Sequence, residues 1–179
     1  MEQKSNLALI GPRGVGKSTV AKLISEKLNR PLFIIDELVQ YEAEGNSIEQ
    51  IVDSGGWSSF RDLELFVLNK LTKCSNSIID CGGGILVEAP SGASMYESFS
   101  ERKFEQLSHC AKLVYLQRPL EQLVGLVPLD SNRPKLADDY KQLLARRLPW
   151  YEKAADVVAE IGNQTAEEVA TEVINKAYS

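Results

Sequence analysis

No apolar run in this 179-residue chain approaches the roughly 18 residues of a membrane-spanning helix, so no membrane partner is expected. The first residues, MEQKSNLALIG, lead straight into a strand-like run and carry no apolar secretion segment. Cysteine is scarce. Cys74, Cys81 and Cys110 are odd in number, lie far apart and lack metal-ligand spacing, which argues against a disulfide framework and suits a reducing compartment. Histidine occurs once, at His109, ahead of a strand-like run, where a structural role is expected. An excess of positive charge is missing too: 20 Lys and Arg against 25 Asp and Glu leave a net charge of −5, so general nucleic-acid binding is not expected. Internal repeats and low-complexity tracts are absent. What remains is ordinary for a soluble globular protein, with 44% apolar and 25% charged residues in a length that favours one domain with a sizeable core. The expectation is a single-domain, bacterial-style cytoplasmic protein.

Apolar runs alternate with helical patterns along the chain. Strands are expected at 7–10, 32–35, 77–81, 112–116 and 156–161, each a continuous apolar run of the kind buried on both faces of a parallel sheet. Helices are expected at 18–28, 48–52, 58–71, 97–107, 119–126 and 139–153. A last one starts at Thr165, where Glu168 has capping-box spacing. The alternation implies right-handed crossovers and an α/β fold of three layers, α/β/α. Two stretches resist assignment, 86–96 and 127–138. The second, with two prolines and mixed charge, is the candidate lid.

Gly11-Pro12-Arg13-Gly14-Val15-Gly16-Lys17-Ser18 fits the phosphate-binding pattern G-x-x-x-x-G-K-[ST] without a mismatch. Its glycines let the backbone curl so that successive N–H groups face one anion, and the following helix adds its positive N-terminal end. Lys17 would bridge the β- and γ-phosphates of a nucleotide, and the Ser18 hydroxyl would ligate Mg²⁺. A strand before the loop and a helix after it are what this chemistry requires.

Further motifs follow in order: "PLFIIDELVQYEAEGNSIEQIV", "GGWSSFRDLE", "IIDCGGG", "NRPKL" and "RRLPWY". With the phosphate loop, they make the chain resemble the shikimate kinase family, small P-loop kinases related to the nucleoside-monophosphate kinases. The match runs nearly end to end. The resemblance implies a five-stranded parallel sheet of order 2-3-1-4-5, ATP and Mg²⁺ as cofactors, and phosphorylation of the shikimate 3-hydroxyl by a monomer. It implies that Gly14, Val15, Gly16, Lys17, Ser18, Thr19, Arg133 and, on the adenine side, Gln164 bind the nucleotide. Arg133 in the lid would neutralise charge in the transition state alongside Lys17. Shikimate would be held by Glu37, Arg61, Gly82, Gly83, Gly84 and Arg147. The two arginines would clamp its carboxylate, and Gly83 would let backbone approach the ring. Two alternatives stay open: Arg61 could pair with Glu64 at i+3 on a solvated helix face, and Arg146 could replace Arg147 in the pocket. Trp57 is close enough in sequence to Arg61 to line that pocket.

The pattern is broken in places. Where the family has Asp-x-Asp, the ungapped register gives Ile35, Asp36 and Glu37, so the first acid is missing and the second is Glu37. Glu37 is the expected ligand of the substrate hydroxyl and an aid to its deprotonation. A one-residue bulge would bring in Asp36 instead. Asp80, ending the apolar run "SIID", is expected to take over the vacant metal role. No cation stands at Gly125 or Leu126, and residues 162–165 lack the family's arginine and proline. These departures leave room for a kinase of another hydroxylated acid, such as a gluconate-like one, or for a non-catalytic nucleotide-binding regulator.

Overall fold

The computed structural model describes residues 6–91, 96–125 and 140–179. The anticipated lid, 127–138, and Arg133 within it lie outside the described residues, as does Leu126. The first half of the chain holds β1 (Asn6–Ile10), α1 (Lys17–Leu28), β2 (Leu32–Ile34), α2 (Ile35–Glu42), α3 (Ile48–Leu71) and β3 (Ile78–Asp80). The second half holds β4 (Val87–Glu88), β5 (Ser98–Phe99), α4 (Glu101–Cys110), β6 (Ala111–Gln117), α5 (Leu120–Gly125), α6 (Tyr140–Ala154), β7 (Val157–Glu160) and α7 (Ala166–Tyr178).

Five strands form a parallel sheet of order β2-β3-β1-β6-β7. The labels differ from the expected 2-3-1-4-5 because a two-stranded antiparallel ribbon, β4-β5, intervenes in sequence before β6. The central strand β1 is buried on both faces. Alternation sends Leu7 and Leu9 into the apolar layer under α1 and α7, and Ala8 and Ile10 into the layer that holds residues of α2, α3, α4 and α6. Helices therefore cover both faces, as a continuous apolar strand demands.

Local chemistry explains where the element bounds depart from expectation. The helix expected at 97–107 begins later, because the Ser100 side chain accepts from Lys103 N and caps it, while Ser98 and Phe99 are in β5. The helices expected at 48–52 and 58–71 are joined in α3, kinked at Gly56, whose φ of 71° suits glycine. Helix α2 was not expected at all. It is short, and Ile35 and Val39 are the buried residues that mark its inner face. The capping box at Thr165 and Glu168 forms as the spacing predicts. No helix among the described residues is long and apolar enough to cross a membrane.

Parallel register collects the chemistry at one edge. Asp80 lies opposite Leu9 on one side and Ile34 on the other. Gly11 and Asp36, two residues beyond those partners, thus emerge at the same carboxyl end of the sheet. Ligands of open α/β sheets bind there.

Candidate active site

Two adjoining cavities occupy this edge. The first is lined by Gly14, Gly16, Lys17, Ser18 and Thr19 of the glycine loop and α1, with Asp36, Asp80 and Cys81 across from them. Positive φ angles at Gly11, Gly14 and Gly16 wind the loop. Gly16 caps α1 without any side-chain hydrogen bond to the first-turn N–H groups, which makes that helix end suited to an anion. Lys17 is buried, and its Nζ donates to the carbonyls of Gly11 and Pro12, both at 2.9 Å. Val15 lines no part of this cavity with its side chain, which is buried in the core under α1. Burial, and then Asp80, push the Cys81 thiol well above the usual range, so it is inert as a nucleophile.

The second cavity is lined by Arg13, Asp36, Ile48, Trp57, Phe60, Arg61, Glu64, Arg147 and the three glycines Gly82, Gly83 and Gly84. Arg61 is 3% exposed. Its Nη1 donates to both oxygens of Glu64, at 2.9 and 3.0 Å, and its guanidinium lies 5.2 Å from the ring centres of Trp57 and Phe60. The i+3 pairing with Glu64 is therefore real, but it occurs inside the cavity wall and not on a solvated face. Glu64 also accepts from the fully buried Lys103 at 2.8 Å, and Lys103 donates to the Val87 carbonyl at 2.6 Å. Burial lowers the pKa of Lys103, against the pull of Glu64. Two cations share one carboxylate here, leaving a net positive charge in the cavity wall.

Arg147, 4% exposed, completes the cationic side. Its Nε and Nη2 form a fork on Glu97, at 2.8 and 2.6 Å. Burial pulls its pKa down, but the Glu97 hydrogen bonds outweigh that and hold it cationic. Arg146 does not line this cavity. It is half-buried with its guanidinium 5.3 Å from the Tyr96 ring, so Arg147 is the one of the two that lines the second cavity.

The triple glycine has a packing reason at each position. A Cβ on Gly82 would collide with the Asp36 carboxylate, and one on Gly84 with the Arg61 guanidinium. One on Gly83 would stand 2.8 Å from the Arg13 backbone nitrogen. The loop thus makes room for three charged residues, and the Gly83 carbonyl accepts from the Tyr151 hydroxyl.

Of the neighbouring acids Asp36 and Glu37, Asp36 is the one at this edge. Glu37 is exposed and lines neither cavity, whereas Asp36 lines both. The cause is helical phase. With Ile35 and Val39 turned into the core, a residue two positions after Ile35 points about 200° away from it, toward solvent. Gln164 also stands apart. It is exposed, donates to Glu172 at 2.9 Å and lines neither cavity. Trp57 does line the second cavity, and His109 is an exposed residue near the end of α4 whose Nδ1 lies 2.6 Å from the Glu105 carbonyl. Glu64 was legible only as a helix partner of Arg61. Lys103 and Glu97 carry no sequence signal, since the fold alone brings them to their partners.

A family model and curated relatives name one family, and a gluconokinase structure from Sinorhizobium meliloti shares the fold at 16% identity with a TM-score of 0.54, over 99% of this chain and 93% of that one. A family model described as shikimate kinase matches residues 13–178. A shikimate kinase of Leptospira biflexa is 37% identical over 172 residues, covering 95% of this chain and 94% of the relative. The solved structure of a shikimate kinase from Acinetobacter baumannii in complex with shikimate superposes with a TM-score of 0.81 at 28% identity, over 97% of this chain and 93% of that one. A shikimate kinase structure from Aquifex aeolicus gives 0.74 at 32% identity, over 95% and 94%.

Proposed function

The chain belongs to the shikimate kinase family, and on that premise we propose that it transfers the γ-phosphoryl group of ATP to the 3-hydroxyl of shikimate, giving shikimate 3-phosphate and ADP. One observation carries the reading. A phosphate cradle and a cavity walled by the buried cations Arg61 and Arg147 meet at a shared carboxylate, Asp36. That is the layout needed to bring a carboxylated alcohol to a nucleotide's terminal phosphate.

The triphosphate lies along the loop N–H groups from Gly14 to Thr19. Lys17 exchanges its two carbonyl partners for phosphate oxygens. The residues present fit Mg²⁺. The Ser18 hydroxyl and the carboxylates of Asp36 and Asp80 line one cavity, and the lack of any three-ligand His, Cys, Asp or Glu cluster among the described residues suits an ion held largely by phosphate and water. Ser18 would hold it, with Asp80 or Asp36 on its water shell, and it would supply charge neutralisation on the phosphates. Arg61 and Arg147 hold the shikimate carboxylate, the net positive wall matching its charge. Asp36 faces the hydroxyl and receives its proton as the oxygen attacks phosphorus. Closure of residues 127–138 would bring Arg133 over the phosphates and exclude water.

The gluconate-like alternative drew support from the changed acidic motif, and Asp36 at the junction answers the Glu37 part of it while the missing first acid remains. Three cysteines outside any disulfide and small polar substrates suit a cytoplasmic monomer acting without nucleic acid or membrane. The test is ADP release by purified protein with Mg²⁺ and ATP, with and without shikimate and with a panel of other hydroxy acids, Lys17→Ala serving as the blank. Shikimate-dependent release that is lost in the variant is expected. Stimulation by another acid and not by shikimate would overturn the reading.

A further inference from the structure

We propose that Arg13, the arginine inside the glycine loop, is a further catalytic residue that contacts the phosphoryl group in flight. The inference rests on the function proposed above. Four residues line both cavities: Arg13, Asp36, Gly82 and Gly83. Transfer must occur where the cavities meet, so these four surround the reacting atoms. Among them Arg13 carries the only positive charge, and Asp36 the only negative one.

Other observations fix Arg13 in that position. Its backbone nitrogen packs against Gly83, where no Cβ would fit, and its carbonyl accepts from the Tyr140 hydroxyl at 3.3 Å. The loop is thus tied on one side to the triple glycine and on the other to the start of α6, the helix that carries Arg147. Burial raises the Tyr140 hydroxyl pKa, and the charges of Arg147 and then Arg13 oppose that rise. What places Arg13 at the junction is that it lines the acceptor cavity as well as the phosphate cavity.

The chemistry gives that cation work that Lys17 does not cover. The acceptor hydroxyl oxygen forms a bond to the γ-phosphorus, and its proton passes to Asp36. The bond from phosphorus to the β,γ-bridging oxygen breaks, and its electron pair remains on ADP. Lys17 bridges the β- and γ-phosphates from the cradle side, where charge builds on the leaving group. The three oxygens of the moving phosphoryl group travel toward the acceptor cavity, and a guanidinium fork there can donate to two of them. The residues from Leu123 to Asn132 carry no cation, so the chain offers no other positive charge between the end of β6 and Arg133 except Arg118 at its start.

The test compares wild type with Arg13→Ala and Arg13→Lys in initial-rate assays of shikimate phosphorylation, with both substrates varied. Arg13→Ala is expected to lower kcat about 10²-fold, the scale for removing one donor to transition-state charge. The KM values for ATP and shikimate should move about threefold or less. Added guanidinium ion should restore part of kcat in Arg13→Ala, and equal sodium chloride should not. Arg13→Lys should fall between, since it keeps the charge without the fork. The contacts to Gly83 and Tyr140 use backbone atoms and survive in both variants, and thermal melts run alongside separate a folding loss from a catalytic one. Unchanged kcat, or a raised KM for ATP at full kcat, would overturn the proposal while leaving the function intact. Wild type without shikimate-dependent turnover would overturn the functional reading, and this proposal with it.

Discussion

Replacing Glu64 by glutamine removes the single negative charge that Arg61 and Lys103 share inside the acceptor wall. Glutamine keeps the volume and one acceptor oxygen, so the perturbation is electrostatic. At an effective dielectric constant of about 20, each contact at 2.8 to 2.9 Å is worth a gross attraction of roughly 6 kcal/mol. Most of that offsets the desolvation of groups no more than 4% exposed. Breaking such a buried pair by removing one partner costs about 3–5 kcal/mol, because the remaining charges stay buried without compensation. In a chain of 179 residues each kcal/mol lowers Tm by about 2–4 °C, so Glu64→Gln should lose roughly 6–20 °C. Thermal unfolding followed by circular dichroism, with urea denaturation at 25 °C, measures this. Adding Lys103→Met to Glu64→Gln leaves one uncompensated cation instead of two and should recover part of the loss, a coupling of about 1–3 kcal/mol. Lys103→Met alone leaves a neutral Arg61–Glu64 pair. It should raise the KM for shikimate severalfold at nearly constant kcat. A Glu64→Gln protein within about 1 kcal/mol of wild type, or strictly additive variants, would refute the reasoning.

Three other outcomes follow from the site. Asp36→Asn should reduce kcat about 10²-fold or more, whereas Glu37→Gln should stay within about twofold of wild type, and initial rates with the reverse ranking would contradict the helical phase argued for α2. Gly84→Ala should push the Arg61 guanidinium off its seat and raise the KM for shikimate about tenfold with little change in the KM for ATP; substrate-saturation curves test this, and an unchanged KM for shikimate would contradict it. Burial raises the Glu88 carboxyl, but hydrogen bonds from Arg102 and Ser100 outweigh it and hold the group at about 2 against an ordinary 4.5. Its folded pKa lies below its unfolded one, so the stabilisation is complete above about pH 5 and is lost as pH falls toward 2. Urea midpoints of wild type and Glu88→Gln should thus differ, by about 1 kcal/mol for so open a pair, from pH 5 to 8 and converge by about pH 2; a gap that widened in acid would be the wrong sign.

The cradle was legible because its chemistry is local. Eight consecutive residues encode the glycine φ angles, the lysine and the helix start. The capping box at Thr165 is local in the same way. Sequence reasoning put Glu37 first and reached Asp36 only through a bulge because no helix was expected over 35–42, and one helical step decides which carboxylate faces the site. It also assigned the triple glycine to the ligand alone, when each glycine first makes room for a charged residue brought in by another segment. Lys103 was out of reach for a stronger reason. Its partner Glu64 stands 39 residues away in sequence, on a different helix. Nothing in the spacing of either helix points to the other.

The most direct test follows phosphorus itself. Purified protein with Mg²⁺, ATP and shikimate is monitored by ³¹P NMR, with samples lacking shikimate run alongside. The account predicts that the γ-phosphate signal of ATP is replaced one for one by a single phosphomonoester on the ring 3-carbon, with inorganic phosphate remaining at the level of the shikimate-free control. Loss of the γ-phosphate to inorganic phosphate alone, or no loss at all, would contradict it.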